Sequence, residues 1–314
     1  EDLVHEELLE SIRERLESFT VDGILDSGML EQLTEEAWYS PFPQFQTTER
    51  PDRAAQELLN GKAVLLCDNS PVALVLPGAF NSFMESSEDW YSRFEMISFL
   101  RVLRYLAMAV ATLLPGLYLA VIRFHTQVLP ANLILSFAQA REGVPFSSVV
   151  ELVFLELSFE LIREAGVRIP GALGNAIGIV GGLIIGQAAV EANLVSPVVV
   201  MIVALTALGS LAIPNEEFAS AFRLLKYAFL FLGGYLGIFG IVLGLYLTAA
   251  HLAGLLSFGV PYLVPFVEKN GDAETGGRIL RLPFRKRKFR PLYARSDQKR
   301  RLRTMPWRQK GKGL

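Results

Sequence analysis

One apolar segment of the sequence, Pro145–Ala165, is interrupted by charged side chains at helical spacing. These side chains are four glutamates and one arginine: Glu151, Glu156, Glu160, Glu164 and Arg163. At 100° per residue, all but Glu151 fall within about a quarter to a third of the helix circumference, and we call these four the acidic stripe. A charge at the centre of a bilayer costs about 2.5–3.5 kcal/mol on insertion scales. The stripe must therefore face water, a pore or other protein.

The chemistry that this arrangement favours is the attraction of cations. Like charges one turn apart, such as Glu156 and Glu160, repel each other unless a cation, a proton or Arg163 lies between them. Rings of acidic side chains attract cations in channels, and oligomerisation turns one glutamate per chain into such a ring. We therefore predict that Glu151 and the acidic stripe line or gate a route for cations. The alternatives are a helix on the membrane surface and ion pairs with a purely structural role.

Residues that support metal binding or enzyme catalysis are sparse. Cys67 is the only cysteine, which excludes an intrachain disulfide and a cysteine-based metal site. The three histidines, His5, His125 and His251, lack metal-ligand spacing, and the sequence contains no Ser/His/Asp set or phosphate-binding loop. We expect no enzyme activity, no cofactor and no metal site.

Glycines recur at every fourth position in a second apolar segment, as Gly174, Gly178, Gly182 and Gly186. Overlapping GxxxG units leave a groove in which another helix backbone can approach closely. We predict tight helix packing here, either within one subunit or at a subunit interface or pore. A later apolar segment repeats the spacing in the pairs Gly233/Gly237 and Gly240/Gly244.

The distribution of charge divides the chain into three zones. Residues 1–99 carry 20 acids and 6 bases, residues 100–267 carry 8 of each, and residues 268–314 carry 4 acids and 16 bases. We predict an acidic α/β soluble domain over 1–95, a membrane domain over 96–267 and a basic cytoplasmic tail over 268–314. The tail suits anionic lipid headgroups better than nucleic acid, because it follows a hydrophobic segment.

The central zone contains apolar runs long enough to cross a bilayer of about 30 Å. The four predicted crossings are Val102–Ile122, Gly171–Val190, Val195–Ile213 and Ala228–Phe258, and Pro145–Ala165, which has the length of a span but contains charges, is the alternative fifth. Val128–Ala140 is too short to cross and is predicted to be interfacial or re-entrant, and Glu216–Tyr227 is amphipathic. An even number of crossings places both termini on the cytoplasmic side, as the basic residues around the first span and in the tail require.

The first zone has the pattern of a small domain with helices and strands. Helical periodicity extends over residues 2–18 and Ile24–Ala37, and a third helix begins at Pro51 and ends near Asn60. Two short apolar runs, Ala63–Cys67 and Val72–Leu76, predict a pair of strands around a turn. Because the sequence begins with Glu1, we expect the domain to be truncated. The predicted fold is an α-helical integral membrane protein with a small, truncated N-terminal α/β soluble domain.

Several strings in the sequence resemble the GerA family of spore germination proteins. One is Ser40-Pro41-Phe42-Pro43-Gln44, which is followed by Thr48-Glu49-Arg50-Pro51-Asp52. Another extends from Leu161 through Pro170 into the glycine-rich helix that contains Asn175, and a third closes on Pro214-Asn215. The resemblance covers about residues 20–265.

The resemblance implies the A-type subunit of a germinant receptor in the inner membrane of a bacterial endospore. Such subunits resemble oligomeric, ligand-gated ion channels that act beside a B-type transporter-like subunit and a C-type lipoprotein. A paralogue from the stage V sporulation operon lies in the same family. We therefore predict a homo-oligomeric, nutrient-gated cation channel that starts germination. The alternatives are a scaffold or signalling subunit that conducts nothing and, less favoured, a secondary transporter.

Overall fold

The computed structural model describes residues 3–168, 172–264, 266, 279–283 and 294, with the side chains of residues 172–180 and 183 outside that description. The chain divides into two units, one formed by residues 1–103 and 250–314 and the other by residues 104–249. Pro170 and most of the predicted basic tail lie outside the described residues.

The first unit contains a three-stranded antiparallel sheet with helices packed against it. The strands are β1 (Gln46–Thr48), β2 (Ala63–Leu66) and β3 (Ala73–Leu76), in the order β1-β3-β2. β3 is buried along its whole length because it pairs with a strand on each side. The predicted strand pair is therefore confirmed, whereas β1 was not predicted.

Helices of the first unit complete its hydrophobic core. They are α1 (Glu6–Glu17), α2 (Ser27–Thr34), α3 (Pro51–Asn60) and the single turn α4 (Phe80–Phe83). α3 begins with proline in its first turn and ends at Gly61, whose φ of 93° is left-handed. The core joins α1 and α2 to the sheet through the buried residues Val4, Leu8, Ile12, Leu30, Phe45, Ala63, Leu74, Leu76 and Phe258.

A buried ion cluster ties α3 to the sheet. The carboxylate of Glu57 lies 3.3 Å from Arg53 Nη2 and 3.3 Å from Lys62 Nζ, and all three side chains are at most 3 % exposed. Burial alone would raise the pKa of Glu57, but the charges of Lys62 and Arg53 outweigh that effect and hold it below its ordinary value. The folded state therefore favours ionised Glu57.

The second unit is a bundle of helices. It contains most of α5 (Phe94–Phe124) together with α6 (Ala131–Ala140), α7 (Ser148–Val167), α8 (Ala172–Glu191), α9 (Pro197–Leu211) and most of α10 (Glu216–Gly254). Its core includes Leu119 of α5, Leu155 of α7, Val203 of α9 and Leu230 of α10, each completely buried.

α10 reverses direction at Gly237, where φ of 64° and ψ of −147° leave the helical region. A Cβ added to Gly240 would lie 2.2 Å from the carbonyl oxygen of Leu232, and one added to Gly244 would lie 2.7 Å from Phe229. In a continuous helix Leu232 and Gly240 would be about 12 Å apart along the axis. α10 is therefore a helical hairpin with arms about 31 Å and about 25 Å long.

The hairpin corrects the prediction of one crossing over Ala228–Phe258. The run contains a reversal at Gly237, and its last residues form a two-stranded ribbon, β4 (Leu256–Ser257) with β5 (Val260–Pro261). Among the described residues, two helices, α5 and α10, are long and apolar enough to cross a membrane. α9 is apolar but has only 15 residues. The number of crossings stays a prediction.

Glycines allow α5 to approach its neighbours closely. A Cβ on Gly233 of α10 would lie 2.2 Å from the carbonyl oxygen of Gly116 in α5, and one on Gly116 would lie 2.4 Å from that of Phe229. A Cβ on Gly209 of α9 would lie 2.7 Å from the carbonyl oxygen of Ala107. Backbone therefore meets backbone at these contacts, as at small-residue helix interfaces.

We expect Gly116→Ala and Gly233→Ala each to destabilise the bundle by about 1–3 kcal/mol, because the added methyl group forces α5 and α10 apart. Gly254→Ala is the matched control, since a Cβ at Gly254 meets nothing within 4 Å. The measurement is thermal unfolding of the detergent-solubilised chain. Equal midpoints for all three variants would contradict the close contact.

We expect Glu57→Gln to cost about 3–5 kcal/mol at neutral pH, because Arg53 and Lys62 lose their shared carboxylate. Since the folded-state pKa of Glu57 is lowered, the stability it contributes is present above its unfolded pKa of about 4.3 and is lost as the pH falls through the folded value. Hydrogen exchange in β2 and β3, followed from neutral pH to below the folded-state pKa of Glu57, measures both the cost of the substitution and the loss of stability in acid. Glu49→Gln, at an exposed position, should change neither.

Candidate functional site

A buried ion pair on α7 forms the centre of the candidate site. Glu156 is 2 % exposed, and its Oε2 lies 2.5 Å from Nζ of Lys226 on α10. Its other oxygen accepts a hydrogen bond of 3.0 Å from the hydroxyl of Thr206 on α9. One carboxylate thus binds three helices together, and both of its oxygens have partners.

One turn further along α7, Glu160 is shared by two arginines. Its Oε2 lies 3.8 Å from Nη1 of Arg163, and its Oε1 lies 3.4 Å from Nε of Arg223 on α10. Arg163 also donates a hydrogen bond of 2.9 Å to the hydroxyl of Ser210 on α9. The Glu160 side chain is 36 % exposed, so this group lies nearer to solvent than the Glu156–Lys226 pair.

The remaining acids of α7 have separate partners. Glu151 is fully buried and accepts hydrogen bonds of 3.0 Å from Arg141 and 3.0 Å from the backbone N–H of Ser196. Ser196 precedes α9, so Glu151 satisfies a backbone donor that the start of that helix leaves free. Glu164 pairs with Arg168 on the surface, where such pairs contribute about 0–1 kcal/mol.

These contacts supply cations that the sequence analysis missed. Arg163 is the only positive charge within the acidic stripe, and the fold adds Lys226, Arg223 and Arg141 from other parts of the chain. A usable signal was present, because Arg223 and Lys226 lie three residues apart on an amphipathic segment. Their side chains therefore share a helix face that needs an acidic counterpart.

A cavity of about 900 Å³ adjoins this cluster within the helical unit. Its polar lining includes Arg163, Ser210 and Arg223, the residues that surround Glu160, together with Gln187, Glu191 and Glu216. Its apolar walls come from α7, α8, α9 and the start of α10. The volume falls within the range of small-molecule sites, about 300–1,000 Å³.

The glycine-rich helix α8 contributes two of its glycines to this cavity. A Cβ on Gly182 would lie 2.7 Å from the ring of Phe159 on α7, and one on Gly186 would lie 3.2 Å from Val200 on α9. These glycines therefore contact helices of the same chain. Gly174, Gly178 and Asn175 belong to α8, but their surroundings lie outside the described residues.

The other predicted packing glycines have different environments. Gly233 contacts α5, whereas Gly237 forms the reversal of the α10 hairpin. Pro214 lines the cavity, and the side chain of Asn215 accepts a hydrogen bond of 2.8 Å from the backbone N–H of Phe218. Asn215 thereby caps the start of α10.

The first family string folds into the first unit. Phe42 is 2 % exposed and Gln44 is fully buried, and Oε1 of Gln44 accepts a hydrogen bond of 3.0 Å from the backbone N–H of Glu36. Pro43 is buried and Pro41 is exposed. These residues position the connection between α2 and the sheet.

The second family string forms a surface ion pair. Arg50 lies 3.0 Å from Asp52, and the hydroxyl of Tyr91 donates a hydrogen bond to the same carboxylate. The hydrogen bonds from Arg50 and Tyr91 hold the pKa of Asp52 well below its ordinary value. Thr48 accepts a hydrogen bond from the backbone N–H of Arg50, and Glu49 is exposed.

Each acidic side chain that α7 contributes to the site is paired with a basic side chain. Among the described residues, no group of three or more His, Cys, Asp or Glu side chains can hold a metal ion. The acids of α7 each have a basic partner, so the arrangement shown favours ion pairs over free carboxylates. The role of Glu151, Glu156, Glu160, Arg163 and Glu164 in a cation route stays a prediction.

The fold and the site define a class: mostly helical proteins with apolar helices long enough to cross a membrane and a helical unit that contains buried ion pairs. The chain belongs to the GerA family, because residues 1–293 match the Bacillus/Clostridium GerA spore germination protein. The family resemblance seen in the sequence is therefore confirmed. No solved structure matches the chain.

Curated relatives agree with this assignment. The chain is 44 % identical to the "Uncharacterized membrane protein YfkQ" of Bacillus subtilis (strain 168) over 83 % of the chain and 51 % of the relative. It is 43 % identical to "Spore germination protein KA" of the same strain over 83 % of the chain and 48 % of the relative. It is 40 % identical to "Spore germination protein A1" of the same strain over 88 % of the chain and 58 % of the relative. The chain spans about half the length of these relatives.

We expect Glu156→Gln to destabilise the chain by about 3–5 kcal/mol, because Lys226 is left buried without a counter-charge. Glu156→Gln combined with Lys226→Met should recover most of that loss, since no charge then stays buried. Glu164→Gln is the exposed control and should change stability by less than about 1 kcal/mol. The midpoint of thermal unfolding in detergent measures all three. A double variant no more stable than Glu156→Gln would contradict the pairing.

Proposed function

We propose that the chain is a membrane subunit of a spore germinant receptor in the inner membrane of the endospore. On this proposal, several copies form a nutrient-gated cation channel beside a B-type transporter-like subunit and a C-type lipoprotein. The family links the chain to germination, and one relative is named a membrane protein. α5, and α10 taken over its whole length, are long and apolar enough to cross a membrane.

The observation that carries the conducting role is the position of Glu160. Its side chain is partly exposed, and both of its cationic partners, Arg163 and Arg223, line the cavity. The carboxylate of Glu160 could attract a cation from solution, but the guanidinium groups of Arg163 and Arg223 occupy that position in the structure. We infer a closed state in which Arg223 blocks Glu160, and an open state in which movement of α10 frees the carboxylate.

Glu156 and Glu160, two of the three glutamates of the acidic stripe, then have different roles. Glu156 is buried with both oxygens satisfied and holds α7, α9 and α10 together. Glu160 has two longer contacts, to Arg163 and Arg223, and lies nearer to the surface. Separating a longer, partly exposed pair costs less than separating a short buried one, because water replaces the lost partner. Glu160 is therefore the acid suited to gating.

A second candidate function is a scaffold or signalling subunit that conducts nothing. The completeness of the pairing on α7 favours it, since Glu151, Glu156 and Glu160 all have basic partners. On this alternative the cavity binds another component of the receptor and the ion pairs only maintain the bundle.

We expect Glu160→Gln to lower cation flux or cation-over-anion preference in liposomes that contain the assembled receptor, with protein abundance nearly normal. Gln retains the shape of the side chain but removes the charge that attracts cations. Glu142→Gln, at an exposed position outside the acidic stripe, is the control and should conduct normally. Unchanged selectivity in Glu160→Gln would contradict the channel role of this carboxylate and favour the scaffold.

A further inference from the structure

The connection between α2 and β1 presents two aromatic side chains to the outside of the first unit. Trp38 is 80 % exposed and Tyr39 is 69 % exposed, and their ring centroids are 6.2 Å apart in an edge-to-face arrangement. The residues around them are anchored, because Ala37 and Phe42 are buried. Pro41 fixes the backbone between the exposed pair and the buried Phe42. The aromatic pair therefore projects from a restrained loop.

The loop is attached to the last turn of α10. The hydroxyl of Ser40 lies 2.9 Å from Nε2 of His251, and the ring centroids of Tyr39 and Phe42 lie 6.4 Å and 6.0 Å from that of His251. Just beyond α10, the hydroxyl of Ser257 donates a hydrogen bond of 2.9 Å to the carbonyl of Gln44. Trp38 and Tyr39 thus lie beside the end of the second arm of the α10 hairpin.

We propose that Trp38 and Tyr39 form an interfacial anchor that inserts into the headgroup layer of the bilayer at this end of α10. The inference rests on the membrane crossing in the proposed function. Trp and Tyr concentrate at membrane–water interfaces, where an apolar ring meets lipid while its polar tip stays hydrated. The end of a crossing helix lies at that depth, and His251 in its last turn holds the loop there.

The aromatic pair is expected to contact the glycerol region and upper acyl chains of the lipid, and not to depend on anionic headgroups. Residues 1–99, the segment that carries the aromatic pair, contain 20 acids and 6 bases, so anionic lipid would repel this segment. Insertion of the aromatic pair should therefore occur in neutral phosphatidylcholine and should change little with added salt.

Depth-dependent quenching of Trp38 fluorescence tests the anchor. The chain is reconstituted with Trp90→Phe and Trp307→Phe into vesicles of phosphatidylcholine brominated either near the headgroup or near the methyl end. We expect the shallow bromines to quench Trp38 more strongly than the deep ones. The difference in quenching between the native chain and Trp38→Phe also gives the quenching of Trp38, and it leaves Trp90 unchanged.

Two reporters complete the experiment. Leu66→Trp in the Trp38→Phe background is the matched control, because Leu66 is 81 % exposed but lies on β2, and it should not be quenched. Tyr246→Trp in α10 reports membrane insertion and should respond to the deep bromines. Quenching of position 246 without quenching of Trp38 would overturn the anchor and leave the crossing intact. Quenching of Trp38 in a chain that conducts no ions would support the anchor and defeat only the channel.

Discussion

The buried pair of Glu156 and Lys226 is the interaction on which the helical unit depends. Each ion loses several kcal/mol of hydration when buried, so neither side chain can stay in the interior without the other. The pair therefore fixes how α7 and α10 face each other, and Thr206 adds α9 through the second oxygen of the carboxylate. The Glu156–Lys226 contact therefore also positions the helices that carry Glu160, Arg163 and Arg223 and that line the cavity.

Close backbone contacts allow the pair to form. The reversal at Gly237 folds α10 on itself, and contact between Gly233 and Gly116 brings the first arm, which carries Lys226, against α5. A side chain larger than hydrogen at Gly116 or Gly233 would push the first arm of α10 away from α5. The glycines and the charges are thus two parts of one arrangement, in which tight packing offsets the cost of burying ions.

Elements with strong local signals could be predicted from the sequence, and elements that depend on distant partners could not. α3 has proline at its start and glycine after its end, so its bounds followed from local chemistry. β1 is three polar residues whose structure comes from pairing with β3, which no local pattern reveals. The acids of α7 were evident, but Lys226 lies 70 residues beyond Glu156. Several glycines with similar neighbours precede and follow Gly237, so its reversal had no distinct signal.

The central claim is that Arg223 blocks Glu160 in the closed state and leaves it when the channel opens. The most direct measurement is the contact between these side chains in the oligomer in lipid nanodiscs, determined by electron cryomicroscopy with and without the nutrient. The account predicts a contact near 3.4 Å without nutrient, and its loss in a conducting state in which Glu160 faces water. An unchanged contact between Arg223 and Glu160 in a conducting state would contradict it.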